Sequence, residues 1–438
     1  MKQNLAIVLE FGYHEIKKYI TSGFAEKLSK KYNIYWFAID KQNKEFHNYF
    51  STAGTRLIYI NKNQLPIPNK TVEHRNLSIR RAWMQNKKVG QFHNYKKIGA
   101  RSLKTKLIGN NILKLYYEKK TLQFVINNYA STYIKNQFQK YEIDSLLFTS
   151  YNSNFVKAAV ITAQQMTLKT WYLVNSWKDL YINNFVPFNN LTALFVWSVQ
   201  MQKDYLFHCN YLKQIPFYNT GNPTLDALLD YQPKQPLTYY SKKYNFNPNA
   251  KIGYYTMMPP GLVNDEIETI NLTANYLLKL HSKEELVLLI RRNPNHDKKK
   301  FNDFELPKNT ILTEHFTTYD KEKDLIIQTT EGEQEWLDLL YYTHFNLSVP
   351  STVTLEFLTL NKPVLNIAYG PKGKLDNRIS QHFNAGFYKP LFKNNKLIIK
   401  IDNLEELKMS IDNIFDIKLN TTIKKRVKAS DKIIKILN

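Results

Sequence analysis

Cysteine is nearly absent from this 438-residue chain, in which Cys209 is the only one. A single cysteine excludes an internal disulfide framework and a metal site built from several cysteines, and it suits a reducing compartment. No run of about 18 apolar residues occurs, so no membrane-spanning helix is expected. The first residues lack the long apolar region and cleavage site of a signal peptide, which favours a cytoplasmic protein.

Several motifs that mark metal or cofactor chemistry are also missing. The sequence contains no D-x-D, H-E-x-x-H, P-loop or C-x-x-C motif. It contains no G-x-G-x-x-G either, so a tightly held dinucleotide is not supported. We therefore expect no cofactor, no metal and metal-independent chemistry.

Acidic residues are scarce relative to basic ones. The chain has 61 Lys and Arg against 37 Asp and Glu, which gives a formal net charge of +24. Such an excess indicates an anionic partner, and nucleic acid, an anionic membrane surface and phosphorylated substrates all qualify. The length allows two domains, and a hydrophobic fraction of 43% supports a real core.

Part of the positive charge lies in one segment, residues 75–117, which has no Asp or Glu. The basic residues of this segment are Arg75, Arg80, Arg81, Lys87, Lys88, Lys96, Lys97, Arg101, Lys104, Lys106 and Lys114. Aromatic residues, among them Trp83 and Tyr116, are interleaved with them. This composition suits an anionic membrane surface, a lipid-diphosphate acceptor or a nucleic-acid backbone. A solvated, Lys-rich helical insert explains it equally well.

Strand and helix patterns alternate along the chain, which is typical of doubly wound α/β domains. Strands are predicted over residues 5–11 and 33–39, and a helix over residues 122–141. A proline-rich stretch at 231–250 is predicted to be a linker. The predicted organisation is a first domain (1–230), this linker, a second domain (251–420) and a C-terminal helix (421–438).

Ligands of open α/β sheets bind at the carboxyl ends of the strands. In the first domain this rule selects Glu10, His14 and Glu15 after the first strand, and Asp179 after the strand at 169–174. Each has a structural alternative, because His14 and Glu15 also suit the start of a solvated helix and Asp179 suits a helix cap.

In the second domain, residues 345–370 read as strand, tight turn, helix and strand. Ser351 and Thr352 stand where the helix begins, so one of them is expected to cap its N–H groups. The start of such a helix offers amides and partial positive charge to a phosphate. Glu356 follows one turn later, within reach of two ribose hydroxyls. An ordinary strand–helix–strand unit gives the same pattern.

Two arginines, Arg291 and Arg292, follow the predicted strand at 286–290. Two guanidinium groups at the carboxyl end of a strand can clamp a diphosphate or a phosphomonoester. Surface arginines before a turn are the alternative.

The residues Ser351, Thr352, Glu356 and the run Asn-Lys-Pro-Val at 361–364 resemble the donor-nucleotide motif of GT-B glycosyltransferases. The segment also resembles its counterpart in bacterial capsule and teichoic-acid transferases. The resemblance implies two Rossmann-like α/β domains facing a central cleft. It implies that the two hydroxyl residues contact the donor phosphates and that Glu356 holds the ribose.

The same resemblance extends to three other positions. Sialyl-, Kdo- and glycerophosphate transferases carry an arg-x-his-pro motif where this chain has Asn293 in place of the histidine, so the donor is left open. The turn containing Gly221 and Asn222 resembles the end of the first GT-B domain. The family's general base often comes from the first loop, which makes Glu10, His14 and Glu15 the candidates and Asp179 the second choice.

We therefore predict transfer of a sugar from a CMP- or UDP-sugar to a polysaccharide or lipid-linked saccharide. The protein would be cytoplasmic and peripheral to the inner membrane through residues 75–114. A glycerophosphotransferase and a sugar-nucleotide epimerase on the same fold are the alternatives. An epimerase needs acidic and basic groups that converge on one sugar ring. A nucleic-acid-binding protein is a further alternative, but it gives no reason for the Ser351 and Glu356 arrangement.

Overall fold

The computed structural model divides into two units. The first comprises Met1–Asp226 and Val427–Asn438, and the second comprises Ala227–Arg426. The structure describes residues 2–10, 15–39, 49–51, 54–87, 107–183, 185–259, 263, 265–282, 285–293, 306–307, 310–313, 317–320, 325–328, 330–416 and 426–437.

A parallel sheet forms the centre of the first unit. Its strands are β1 (Gln3–Leu9), β2 (Tyr32–Ile39), β3 (Thr55–Ile60), β4 (Ser145–Phe148), β5 (Lys169–Leu173), β6 (Ala193–Val196) and β7 (Phe217–Asn219). They lie in the order β3-β2-β1-β4-β5-β6-β7, and all neighbours are parallel. Strand β4 is buried along its whole length, as expected for a strand covered on both faces.

Helices connect these strands. They are α1 (Phe24–Ser29), α2 (Thr71–Lys87), α3 (Asn111–Tyr129), α4 (Thr132–Lys140), α5 (Asn154–Gln165), α6 (Asp179–Asn183) and α7 (Val199–His208). A π-helix covers Ile16–Thr21, and short 3₁₀ turns cover Lys62–Gln64, Asn210–Gln214 and Pro223–Leu228. The single helix predicted over residues 122–141 is wrong. Ser131 interrupts it, because its side chain accepts the Ile134 N–H (3.3 Å) and starts a new helix.

The second unit repeats the plan with a second parallel sheet. Its strands are β8 (Lys251–Thr256), β9 (Leu286–Arg291), β10 (Thr310–Thr313), β11 (Thr317–Asp320), β12 (Leu325–Gln328), β13 (Phe345–Ser348), β14 (Val364–Ile367) and β15 (Ile398–Ile401). The main sheet has the order β10-β9-β8-β13-β14-β15, whereas β11 and β12 form a separate antiparallel pair. The prediction of two parallel α/β units is confirmed.

The helices of the second unit are α8 (Leu237–Tyr244), α9 (Glu266–Leu280), α10 (Thr330–Tyr342), α11 (Val353–Thr359), α12 (Asn377–Ser380), α13 (Lys389–Asn394) and α14 (Leu404–Asp416), with a 3₁₀ turn at Gln381–Asn384. The carboxylate of Asp338, on α10, is fully buried. It accepts hydrogen bonds from the Tyr231 and Tyr240 hydroxyls (2.5 and 2.7 Å). It also accepts the backbone N–H groups of Lys234 and Gln235 (3.0 and 3.1 Å). The stretch predicted as a linker therefore belongs to the second unit and is fixed to α10.

The last helix, α15 (Ala429–Leu437), belongs to the first unit. Its apolar side chains Ile433, Ile434 and Leu437 are part of the core against β1 and β2. Asp226 accepts the backbone N–H groups of Ala429 and Ser430, both at 2.8 Å, and so caps the start of this helix. The cap and the apolar face together hold the end of the chain on the first sheet.

Candidate functional site

Each sheet has one point at which the strand order reverses, between β1 and β4 in the first unit and between β8 and β13 in the second. Crossover helices leave in opposite directions from such a point, and the carboxyl ends of the two strands border a crevice there. The side chains at these two carboxyl edges are therefore the first candidates for a ligand site in each unit.

In the second unit, Arg291 ends β9 and stacks on an aromatic ring. Its guanidinium carbon lies 3.8 Å from the ring centroid of Trp336, on α10. Within the described ranges, no carboxylate pairs with this guanidinium and no acceptor receives a hydrogen bond from it. A half-buried arginine that is stacked but not neutralised is suited to an anionic ligand.

Glu356 lies next to this stack. Its carboxylate accepts the indole N–H of Trp336 at 2.9 Å and is buried. The indole therefore contacts Arg291 through its face and Glu356 through its edge. Sequence reasoning selected Arg291 and Glu356 but missed Trp336, which only the packing of α10 against α11 reveals.

The turn before α11 differs from the prediction in one respect. Thr352 has helical dihedral angles (φ −63°, ψ −28°), so its side chain makes no capping hydrogen bond. The Ser351 hydroxyl is buried and has no hydrogen-bond partner among the described residues. The expectation that one of these residues caps the helix is wrong. The first turn of α11 therefore has no side-chain cap, and the Ser351 hydroxyl has no partner in the described part of the chain.

A series of hydrogen bonds between buried polar groups fixes the strand β13 that leads into this turn. The Asn346 amide donates to the Tyr254 carbonyl (2.8 Å), and the Ser348 hydroxyl donates to the Asn346 side chain (2.8 Å). The Asn366 amide donates to the Ser348 carbonyl (3.0 Å), and Tyr388 donates to the Asn366 side chain. These bonds cross from β8 to β13 and β14, so the end of β13 is held on both sides.

The other motif residues of this unit have local partners. The Asn293 amide lies 3.5 Å from the Met257 carbonyl, across the ends of β9 and β8. Arg292 is half-buried beside it. Lys362 donates to the Leu340, Tyr341 and Thr343 carbonyls and so caps the end of α10. The lysine of the Asn-Lys-Pro-Val run therefore has a structural contact.

Glu266 is a further acidic residue at this edge, and sequence reasoning missed it. Both of its carboxylate oxygens lie 3.1 Å from the Met258 backbone N–H, just after β8. Burial raises the pKa of Glu266 to about 8, although the Met258 hydrogen bond lowers it. A buried carboxyl that is protonated near neutral pH can donate a proton as well as accept one.

In the first unit, the carboxyl edge carries acidic and basic groups that face each other. Glu15 is buried and accepts the Glu10 backbone N–H at 2.7 Å. The Glu10 Oε2 atom is buried without a hydrogen-bond partner among the described residues. The ammonium of Lys18 donates to the Asn175 side chain at 2.5 Å. His14 lies outside the described residues.

Asp179 completes this group. Burial raises its pKa to about 7, against the lowering effects of the Ser176 N–H and the Lys18 charge, and the charge of Glu10 raises it further. Burial also lowers the pKa of Lys18 to about 8, while Asp179 and Glu15 oppose that change. The structure therefore brings together Glu10, Glu15 and Asp179, which the sequence had selected separately, around a lysine that it had not selected.

Gly221 and Asn222 form a turn at the other side of this unit. Gly221 has φ +92°, a value that side chains rarely adopt, and a Cβ atom there would meet Ala429 at 3.4 Å. The Asn222 side chain accepts the Thr224 N–H at 3.1 Å. These contacts shape the turn that faces α15.

The prediction of a continuous basic surface over residues 75–114 is wrong for two of its members. Arg80 is fully buried, pairs with Glu118 and donates to the His208 carbonyl at 3.0 Å. Lys114 is also buried, 2.9 Å from Glu118. Both lie between α2 and α3, where they share one carboxylate, that of Glu118, which follows the acid-free stretch. Residues 88–106 lie outside the described residues.

The described part of the chain contains neither a metal-ligand cluster nor a membrane-spanning helix. No three His, Cys, Asp or Glu side chains in it are grouped as ligands of a metal ion. None of its helices is long and apolar enough to span a membrane.

The fold resembles those of nucleotide-sugar enzymes among the solved structures. One is the UDP-GlcNAc 2-epimerase of Methanocaldococcus jannaschii, with a TM-score of 0.57 and 13% identity over 100% of this chain and 99% of that one. Another is the UDP-GlcNAc 2-epimerase of Neisseria meningitidis bound to UDP-GlcNAc, with a TM-score of 0.56 and 14% identity over 99% of both chains. A third is a glycosyltransferase of Rickettsia africae, with a TM-score of 0.51 and 13% identity over 99% of this chain and 94% of that one.

No protein-family model matches the sequence. No curated protein matches it significantly. At such low identity, the structural likeness shows the fold, which is that of GT-B glycosyltransferases and UDP-GlcNAc 2-epimerases.

Proposed function

We propose that this protein is a glycosyltransferase that moves a sugar from a CMP- or UDP-sugar to a polysaccharide or lipid-linked saccharide. The observation that carries the proposal is the Arg291 guanidinium, which is stacked on Trp336 and has no anionic partner in the described structure. It lies in the same unit as the unpartnered Ser351 hydroxyl. A nucleotide phosphate would satisfy both groups.

The second unit would bind the donor nucleotide. Arg291 is held by Trp336, so little side-chain freedom remains to be lost when a phosphate binds. The charge that develops on the leaving phosphate would be stabilised by this guanidinium, by the hydroxyls of Ser351 and Thr352, and by backbone N–H groups. Because these protein groups can stabilise that charge themselves, we propose metal-independent transfer.

The first unit would supply the general base. An acceptor hydroxyl oxygen attacks the anomeric carbon, its proton passes to a carboxylate, and the bond from that carbon to the nucleotide phosphate oxygen breaks. Glu10 is our first choice because its Oε2 atom is buried and has no hydrogen-bond partner in the described chain. Asp179 is the second choice, since its pKa of about 7 suits proton transfer near neutral pH.

Epimerisation of a nucleotide sugar is the second candidate function. It is favoured by the likeness to two UDP-GlcNAc 2-epimerases, one of them bound to UDP-GlcNAc. It is also compatible with the acidic and basic groups that meet at Glu10, Lys18 and Asp179. An epimerase would change one stereocentre of the sugar and return the nucleotide still attached.

The test starts with binding. UMP, UDP, CMP, CDP, GDP and ADP would be titrated calorimetrically into the protein in the absence of metal. We expect selective binding of one base, weakened by Arg291→Ala. Arg56→Ala is the matched control, because Arg56 also stacks on an aromatic ring, 5.9 Å from the Tyr35 centroid, in the first unit. Absence of binding by every nucleotide would contradict both candidate functions.

Product analysis then separates the two candidates. With UDP-GlcNAc as substrate, transfer releases UDP and consumes an acceptor, whereas epimerisation produces a new nucleotide sugar without free UDP. Proton NMR of the anomeric region distinguishes these outcomes. Release of UDP that is unchanged in Glu10→Gln would remove Glu10 as the base.

We also propose a cytoplasmic enzyme that binds anionic membrane surfaces through α3. Ile112, Leu115 and Tyr116 on this helix are 80%, 53% and 56% exposed. Lys119 and Lys120 on the same helix are exposed as well. Apolar side chains beside cations are typical of interfacial helices. Sedimentation with phosphatidylglycerol vesicles should be reduced by Ile112→Asp and by high salt, and unchanged sedimentation would overturn this proposal.

A further inference from the structure

A pocket of about 250 Å³ lies in the first unit, between α2, α3, α5 and the loops after β4 and before β6. The proposed donor site is in the other unit, and neither the sequence motifs nor the proposed base account for this pocket. The side chains that line it are Lys70, Glu73, His74, Asn76, Leu77, Arg81, Thr121, Tyr151, Asn152, Lys157, Phe185 and Pro187.

The lining is cationic. Lys70, Arg81 and Lys157 carry positive charge, and the pocket has one carboxylate, Glu73. Glu73 is already engaged, because it pairs with Lys157 and accepts the Tyr129 hydroxyl at 2.7 Å. Neither Lys70 nor Arg81 has an ion-pair partner in the described part of the chain. The pocket therefore has two positive charges that no described residue neutralises.

Two polar groups in the lining are buried without a partner. Asn76 is 2% exposed, and its side-chain oxygen has no hydrogen-bond donor among the described residues. The Nε atom of Arg81 is buried and has no acceptor there. A buried polar group without a partner costs free energy, so such groups in a cavity wall point to a ligand.

The two groups require different hydrogen-bonding atoms from a ligand. The guanidinium of Arg81 needs a hydrogen-bond acceptor, best supplied by an oxyanion. The side-chain oxygen of Asn76 needs a donor, such as a sugar hydroxyl. A molecule that carries both an oxyanion and hydroxyl groups satisfies them together. The volume is that of a small ligand, below the usual range for drug-sized molecules.

We propose that this pocket binds the anionic sugar unit of the acceptor, a saccharide that carries a phosphate or a carboxylate. This assignment of the acceptor class rests on the proposed glycosyl transfer. Lys157 connects the pocket to the proposed base, since it lines the pocket, and its pKa, lowered mainly by burial, is raised in part by Glu73 and, less, by Glu10.

Calorimetry at low ionic strength with four probes tests the proposal: inorganic phosphate, glucose 6-phosphate, glucuronic acid and glucose. We expect glucose 6-phosphate or glucuronic acid to bind more tightly than glucose, and the tighter of the two names the anion. Arg81→Ala should weaken that binding by about tenfold or more, as loss of a charge-assisted bond predicts. Lys70→Ala, at a half-buried position, gives a second test with less risk to folding.

Lys140→Ala serves as the control, because Lys140 is an exposed cation of the same unit outside the pocket. The proposal is overturned if none of the charged probes binds better than glucose. It is also overturned if Arg81→Ala and Lys70→Ala both bind like the control. Nucleotide titration of the same variants separates this proposal from the proposed function. If the wild type binds no nucleotide, the proposed transferase function is contradicted. If it binds a nucleotide but neither glucose 6-phosphate nor glucuronic acid, only the proposal for the pocket is contradicted.

Discussion

The two units share one sheet plan but satisfy their buried charges differently. In the first unit, opposite charges meet: Arg80 and Lys114 pair with Glu118, and Lys157 pairs with Glu73. In the second unit, Lys243 also pairs with the buried Glu335, but Asp338 is held by neutral donors, and Arg291 is stacked on Trp336 without a carboxylate partner among the described residues. The strand order sets where a site can form, whereas the charges that have no partner among the described residues mark where an anion can bind in each unit.

The largest expected effect is on the ion-pair group of the first unit. Glu118→Gln leaves Arg80 and Lys114 buried without their carboxylate, so we expect the free energy of unfolding to fall by about 3–5 kcal/mol. Urea denaturation followed by circular dichroism measures it. The double variant Arg80→Met with Glu118→Gln should lose less than the single one, because Lys114 is then the one member of this group left as a buried cation without its carboxylate. Equal losses would show that the charges are not coupled.

The counterpart in the second unit is Asp338. Asp338→Ala leaves the Tyr231 and Tyr240 hydroxyls and two backbone N–H groups without their acceptor, and we expect a loss of about 2–3 kcal/mol. Asp338→Asn keeps one acceptor oxygen and should lose less. Limited proteolysis within residues 227–250 should increase in Asp338→Ala alone. If the two substitutions cost the same, a neutral acceptor oxygen at this position contributes nothing to the anchor.

The third prediction concerns binding capacity. Arg291→Ala should weaken nucleotide affinity about 10- to 100-fold, since it removes a charge-assisted contact to phosphate worth about 1.5–3 kcal/mol. Arg291→Lys keeps the charge but loses the planar stack on Trp336, so it should restore only part of the affinity. Isothermal titration calorimetry measures both. Full affinity in Arg291→Ala would show that this guanidinium does not bind the nucleotide phosphate.

The smallest effect, taken per pH unit, is a pH dependence of stability at each edge. The pKa of Asp179 is raised from 3.8 to about 7, so the native state holds its proton longer than the unfolded state does. Its contribution to stability is therefore greatest at acidic pH and is lost as pH rises towards 7, by at most about 1.4 kcal/mol per pH unit. For Glu266 the same sign applies, with a window from 4.5 to about 8.

Denaturation of wild type, Asp179→Asn and Glu266→Gln across this pH range tests whether the pKa of each carboxyl differs between the folded and unfolded states. The stability gap between wild type and Asp179→Asn should stop changing near pH 7, and the gap for Glu266→Gln near pH 8. A gap that is constant with pH would mean that the carboxyl has the same pKa in the folded and unfolded states.

Much of the fold follows from local sequence patterns. The strands β13 and β14 lie within one residue of their predicted bounds, because buried runs of apolar residues between turn residues are a local signal. β3, Thr55–Ile60, was missed, since its alternating and partly polar sequence gives a weaker signal. The sequence predicts one helix over residues 122–141, across the end of α3 and the whole of α4, because the break between them depends on the cap formed by Ser131.

The site was less predictable, because its contacts join distant parts of the chain. The acid-free stretch ends one residue before Glu118, and only the packing of α2 on α3 turns Arg80 from a surface cation into a buried partner. Trp336 gives no sequence signal of its contact with Arg291. Glu266 resembles any acidic residue in the first turn of a helix until burial against Met258 is known.

The position of α15 at the end of the chain affects when the first unit can complete its fold during synthesis. Its residues Ile433, Ile434 and Leu437 complete the apolar core around β1 and β2, and Asp226 caps it. The ribosome makes these residues only after the whole of the second unit. The first unit to be translated is therefore the last to close its core. A chaperone that acts on the nascent chain would meet the uncovered side of the first sheet for the time needed to make some 200 residues, from Ala227 to Arg426.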